Sequence, residues 1–233
     1  MTLRARALDA LATVYDPELD EPITALGFVE SCEVSGAGDV DVRLRLPTPQ
    51  CAPNFAFLMA SDARDAVLRA GSVGAVRVVL VDHYTGEEIN AAVDHGGGLE
   101  DAFPGETEGD LDALRELFRR KALLARQGRV YERLVAGGAS APAVASLRLA
   151  DLPDDDPEAR RCVELRRELG LSCDPASPAL VAGDGAAIPA GELSRWQRRA
   201  RLVGLSLESN GAICRSLLRV RYGVVDPTEE AAA

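Results

Sequence analysis

Positive charge is scarce at the front of this chain. Residues 1–110 hold 7 Arg or Lys against 20 Asp or Glu, and the 233 residues together carry a net charge of −11. A general binder of phosphate backbones needs a positive footprint, so nucleic acid is not expected as a partner. Aromatic residues make up only 4%, which leaves few stacking platforms for single strands. No apolar run approaches the length that crosses a bilayer, and Met1 to Arg6 leads into a mixed helix without a signal-like hydrophobic region. No membrane partner is expected, and the cytoplasm is the expected location. The five cysteines, Cys32, Cys51, Cys162, Cys173 and Cys214, are odd in number and form no close pair. That excludes a secreted disulfide framework and predicts reduced thiols. There is no internal repeat, and Gly183-Asp184-Gly185 lacks the Lys-Ser/Thr ending of a phosphate loop.

With 47% hydrophobic residues, the chain is long enough for one large or two small domains. Leu3, Ala7, Leu8 and Leu11 share one face of a helix, which Pro17 helps to end. Phe28 to Val34 and Val40 to Leu46 read as two strands joined at Ser35–Asp39, the second with strict alternation of apolar and polar residues. Phe55, Leu58, Met59, Ala63, Ala66 and Val67 recur at helical spacing, and Ala75 to Val81 reads as a third, well-buried strand. The expected class is α+β: a small α-β-β-α-β domain at residues 1–95 with its helices on one face of a short sheet. An acidic, Gly-rich linker is expected at 96–110, a mainly helical domain at 111–225 and a tail at 226–233.

Three features of the first half bear on chemistry. Cys51 follows the Pro47–Gln50 turn and precedes Pro53, which suits a first helical turn, so its sulfur is expected beside a helix N-terminus, where a thiolate is favoured. Such a sulfur is either reactive and metal-binding or a small buried hydrophobe. Asp16, Glu18, Asp20 and Glu21 crowd four carboxylates into one turn, as oxygen ligands for a cation or as a solvated acidic surface. His83, His95 and Glu87 or Glu88 would make a two-histidine, one-carboxylate Fe(II) site if the fold brought them together; surface histidines are the alternative.

The pieces Tyr15-Asp16-Pro17-Glu18-Leu19, Ile23 to Val29, Val40 to Leu46 and Thr48-Pro49-Gln50-Cys51-Ala52-Pro53, in this order, resemble the iron–sulfur assembly domain shared by SufT-like and PaaD-like proteins, over about residues 3–92. The resemblance implies a small α/β unit that helps to assemble metal centres in client proteins. It maps the family's acidic turn onto Asp16 and Glu18 and its reactive cysteine onto Cys51, flanked by Thr48, Gln50 and Asn54. The chain departs from the family in having Gln50 before the cysteine and Ala52 after it. Thiolate and carboxylate together would then hold Fe²⁺, Zn²⁺ or a cluster transiently, with open positions for release. A homodimer would bring a second Cys51 to the same ion.

The second half carries no resemblance. Asp110 is expected to cap a long helix through Leu134, Val144 to Leu152 to be a short strand or extended segment, and Asp154-Asp155-Asp156-Pro157 to open a helix by capping. Glu192 to Leu207, with Arg195, Arg198, Arg199 and Arg201 beside Trp196, reads as a helix with a basic face for an acidic partner or for water; a turn at Ser209–Gly211 and a last helix follow.

Three functions compete. One is a non-catalytic accessory factor that uses Cys51 and the acidic turn to mature iron or iron–sulfur centres in a client metalloprotein or with assembly machinery, a multicomponent di-iron oxygenase being one such client. The second is an enzyme with Cys51 as nucleophile and His83 as base. The third is a metal-free interaction scaffold.

Overall fold

The strict alternation of Val40, Val42 and Leu44 with Asp41, Arg43 and Arg45 builds the central strand of the molecule's main sheet. A computed structural model describes residues 1–105 and 111–224. The expected cap Asp110, the end of the expected linker (106–110) and the expected tail (226–233) lie outside the described residues.

In chain order the first part comprises α1 (Leu3–Leu11), β1 (Tyr15–Asp16), β2 (Glu21–Pro22), β3 (Val29–Val34), β4 (Val40–Arg45), α2 (Pro53–Arg69), β5 (Val76–Val81), α3 (Gly86–Asp94) and α4 (Leu99–Ala102). The second part comprises α5 (Leu111–Ala136), α6 (Ala141–Ser146), α7 (Pro157–Glu168) and α8 (Leu193–Tyr222). Strand order in the sheet is β3-β4-β5. β3 and β4 form an antiparallel hairpin, Val34 opposite Val40, with an irregularity between Val29 and Ser31. β4 and β5 are parallel, Val40 beside Val76 and Leu44 beside Leu80, and α2 makes the crossover that a parallel pair requires.

Val40, Val42, Leu44, Val76, Val78 and Leu80 all turn to one buried face, against Ala7 and Leu11 of α1 and Phe57, Ala60, Ala63 and Val67 of α2. The other face carries ion pairs, Arg43 to Glu30 at 2.9 Å and Arg77 to Asp41 at 3.6 Å. The class is α+β, as the alternation predicts. The small hairpin β1–β2, which pairs Tyr15 with Pro22 and Asp16 with Glu21, is an addition that a two-residue strand is too short to announce.

The chain divides into two compact units, Met1–Leu111 with Asn210–Ala233, and Asp112–Ser209. α8 contributes to both. The turn expected at Ser209–Gly211 is absent, because α8 runs unbroken through it. Gly211 serves close approach instead: a Cβ there would stand 2.8 Å from the Glu21 carboxylate. Leu218 of α8 is buried in the core of the first unit. Part of the expected linker is also ordered, with Ala102 of α4 buried in that same core.

In the second unit, the start of the expected strand or extended segment, Val144 to Ser146, belongs to α6, which Ser140 caps through the Ala143 N–H with Pro142 in its first turn; Leu147 and Arg148 are extended, with Arg148 bridged to Pro178, and a 3₁₀ turn follows at Leu149–Asp151. Asp156 caps α7 as expected, accepting from Glu158 and Ala159. Gly128 lets α5 meet α8, where a Cβ would lie 2.9 Å from that of Ala200. The fully buried Arg166 spends its guanidinium on the carbonyls of Pro178 and Ala179, at 2.8 and 2.7 Å.

Asn90 of α3 satisfies β5 where no strand does. Its amide donates to the Leu80 carbonyl at 3.0 Å and accepts from the Leu80 N–H at 2.7 Å. Asn90→Ala should therefore destabilise the first unit by about 1–3 kcal/mol, the cost of stranding two partly buried backbone groups. Urea denaturation checks this, and an unchanged midpoint would contradict it.

Candidate functional site

The loop after β4 contains two prolines and so has few N–H groups of its own, yet it must place carbonyls beside the core. Three donors from elsewhere take alternate carbonyls. Arg221 of α8 donates to Pro47 at 2.9 Å, the Tyr84 N–H to Pro49 at 3.1 Å, and His83 Nε2 to Cys51 at 2.8 Å. The Cys51 carbonyl can only accept, so Nε2 donates to it, and the Thr85 N–H and hydroxyl lie 3.3 and 3.1 Å from His83 Nδ1. Cys51 is thereby pinned through its backbone while its side chain stays half-buried at the head of α2. The N-cap residue of α2, Ala52, supplies no side-chain cap, and Pro53 occupies the first turn. Thr48 Oγ1 is the polar neighbour of the sulfur, at 3.5 Å. Gln50 is exposed, and Asn54 accepts from the Phe55 N–H at 3.0 Å.

Asp16 is buried in the acidic turn. Its Oδ1 accepts the Glu18 and Leu19 N–H groups at 2.8 and 2.9 Å, and Asp20 closes the turn in the left-handed region, φ 52°. Burial pushes the Asp16 carboxyl from 3.8 up to about 6, against those two N–H groups and helped by the charges of Glu18 and Glu21. Glu18 is exposed, and Glu21 is held by Arg215 of α8 at 2.7 Å.

Four cysteines, Cys51, Cys162, Cys173 and Cys214, are enough in principle for a bound cluster, but the sequence favours core packing for the last three; Cys214 is the one of them whose surroundings the sequence does not show. It precedes Arg215 and packs on the same core as Cys51. Burial raises its thiol to about 11, and the nearby charges of Asp16, Cys51 and Glu18 push the same way, with Arg215 opposing. Nothing in its local sequence announces this, because it lies 163 positions from Cys51, inside α8.

His83 and His95 stand at opposite ends of α3, a nine-residue helix spanning about 14 Å. Both ring nitrogens of His83 are engaged, and His95 and Glu87 are exposed. The structure therefore does not gather His83, His95 and Glu87. Nor does His83 reach the Cys51 sulfur as a base would; it holds the carbonyl. Cys162 and Cys173 belong to the second unit. Among the described residues, no three His, Cys, Asp or Glu side chains form a group able to hold a metal by themselves. No helix among them is long and apolar enough to cross a membrane.

The folded-state value of Asp16 lies above its ordinary one, so the folded protein keeps a proton that the unfolded chain has released. Stability therefore falls as pH rises from 3.8 to about 6, and the full cost, at most about 3 kcal/mol, stands above that range. Asp16→Asn keeps the acceptor for both N–H groups and removes the charge. Urea midpoints taken between about pH 4 and pH 7 should slope less in the variant than in the wild type; parallel slopes would contradict the burial assigned to Asp16.

Residues 4–79 match the family model described as iron-sulfur cluster assembly protein. Over 90 residues the chain is 32% identical to an uncharacterized protein of Methanocaldococcus jannaschii, an alignment covering 39% of this chain and 93% of that relative. No solved structure matches.

Proposed function

The chain belongs to the iron–sulfur cluster assembly protein family, and on that premise we propose that its first unit takes up iron or an iron–sulfur cluster at Cys51 and hands it to a client metalloprotein. A role in cluster assembly follows from the family. The finer reading assigns Cys51 and Cys214 as the two sulfur ligands, with Asp16 and Glu18 supplying negative charge beside them. The observation that carries it is the half-buried Cys51 sulfur at the head of α2, whose backbone carbonyl His83 holds, with Cys214 of α8 packed on the same core and subject to the charges of Asp16, Cys51 and Glu18.

Asp16 and Glu18 bring negative charge near the thiols, and a bound cation would be favoured by it. Cys214 is protonated at neutral pH, so metal uptake must release its proton, and binding weakens as pH falls. Two sulfurs leave coordination positions unfilled, which suits a cargo that is passed on rather than kept. A second sulfur from within the chain also makes a symmetric partner's Cys51 unnecessary. The reading is non-catalytic: a nucleophilic cysteine needs a base at its sulfur, and the nearest histidine is spent on the Cys51 carbonyl. We place this work in the cytoplasm, where thiols stay reduced. The resemblance makes a component of a multicomponent oxygenase one candidate client.

Iron and acid-labile sulfide content after anaerobic reconstitution, compared across wild type, Cys51→Ser and Cys214→Ser, tests the reading. Wild type should bind iron, Cys51→Ser should lose at least tenfold in affinity, and Cys214→Ser should lose a similar amount. Iron-free protein in all three samples would sink the carrier and leave a scaffold that guides its client by contact.

A further inference from the structure

The second unit contains a cavity of about 500 Å³, within the range of small-molecule sites. α5 and the first part of α8 line it, and its floor is apolar, from Leu123 and Val181. Around the rim the chain reverses its overall acidity: Arg120, Lys121, Arg195 and Arg199 face the cavity, against one acid, Glu192. Two of these cations are engaged. Arg120 pairs with Glu116 at 2.5 Å, and Lys121 lies 4.4 Å from the centre of the Phe118 ring. Arg195 and Arg199 lie one helical turn apart, and among the described residues neither has an anionic partner. Between them in sequence, Trp196 lines the same cavity and packs edge-on against Tyr131 at 6.0 Å. Its indole N–H is buried and, among the described residues, has no acceptor. A buried donor left unpaired costs free energy, and the two neighbouring guanidinium groups leave a positive rim with no anion among the described residues paired to balance it.

We propose that this cavity binds a small amphipathic oxyanion, a carboxylate or phosphate monoester on an apolar body. The forked guanidinium groups of Arg195 and Arg199 match such a headgroup in shape. The apolar body lies on Leu123, Val181 and the indole face. This site is separate from the cysteine site, and neither depends on the other.

The chain has a single tryptophan, so its fluorescence reports on this cavity alone. Titrating the full-length protein with octanoate, octyl phosphate, octylamine and inorganic phosphate separates the contributions. Octanoate or octyl phosphate should give a saturable change, whichever binds tighter identifying the headgroup. Affinity should fall at least tenfold in an Arg195→Ala, Arg199→Ala double variant, fall less in the corresponding Lys, Lys variant, and weaken with added salt. Both arginines are exposed, and unchanged circular dichroism would show that the variants fold. Equal binding of octylamine, equal binding of bare phosphate, unaltered affinity in the Ala, Ala variant, or no binding of any probe would each overturn the proposal.

Discussion

A proline-rich loop beside a core must find donors for its carbonyls, and that need organises the site of this protein. Proline gives the loop its shape and denies it N–H groups, so hydrogen bonds must come from outside. They come from two places: the His83-Tyr84 turn after β5, and Arg221 near the end of α8. His83 thus positions Cys51 through its carbonyl and leaves the sulfur to its neighbour Thr48 Oγ1. The left-handed Asp82 lies next to His83, and its carboxylate takes both Arg221 and the Tyr222 hydroxyl. The turn that holds the cysteine loop is therefore itself held by α8.

The end of α8 has a larger part than capping the chain. Arg215 reaches Glu21 of the acidic turn, Arg221 reaches the cysteine loop and Asp82, Tyr222 lies 5.2 Å from Arg45, and Val224 packs on Gly27. Leu218 anchors the helix in the core between these polar contacts. Exposed ion pairs are individually weak, so the buried leucine contributes most to docking, while the arginines fix register. That register brings Cys214 into the field of Asp16 and Cys51.

Much of the first unit was legible, for a definite reason. Period-2 alternation in β4 and helical spacing in α2 are both strong signals, and Pro53 marks the start of α2. Cys51 at the head of that helix and Asp16 in its turn could be named from the same local grammar. What was hidden is long-range. Gly211 reads as a turn residue, but its small size admits Glu21 beside a continuous helix. Cys214 sits among apolar helical residues like any core cysteine, and only tertiary packing distinguishes it. His83 was named, but its role was not, because sequence cannot show that both ring nitrogens are occupied.

Cys51 and Cys214 facing one site is the claim on which the functional reading turns. Dibromobimane, which becomes fluorescent when it bridges two nearby thiols, tests it directly on the reduced, metal-free protein. Peptide mapping should find Cys51 and Cys214 joined, and either Cys→Ser substitution should abolish the signal. Cys51 alkylated singly, with Cys214 unmodified or bridged elsewhere, would contradict the shared site.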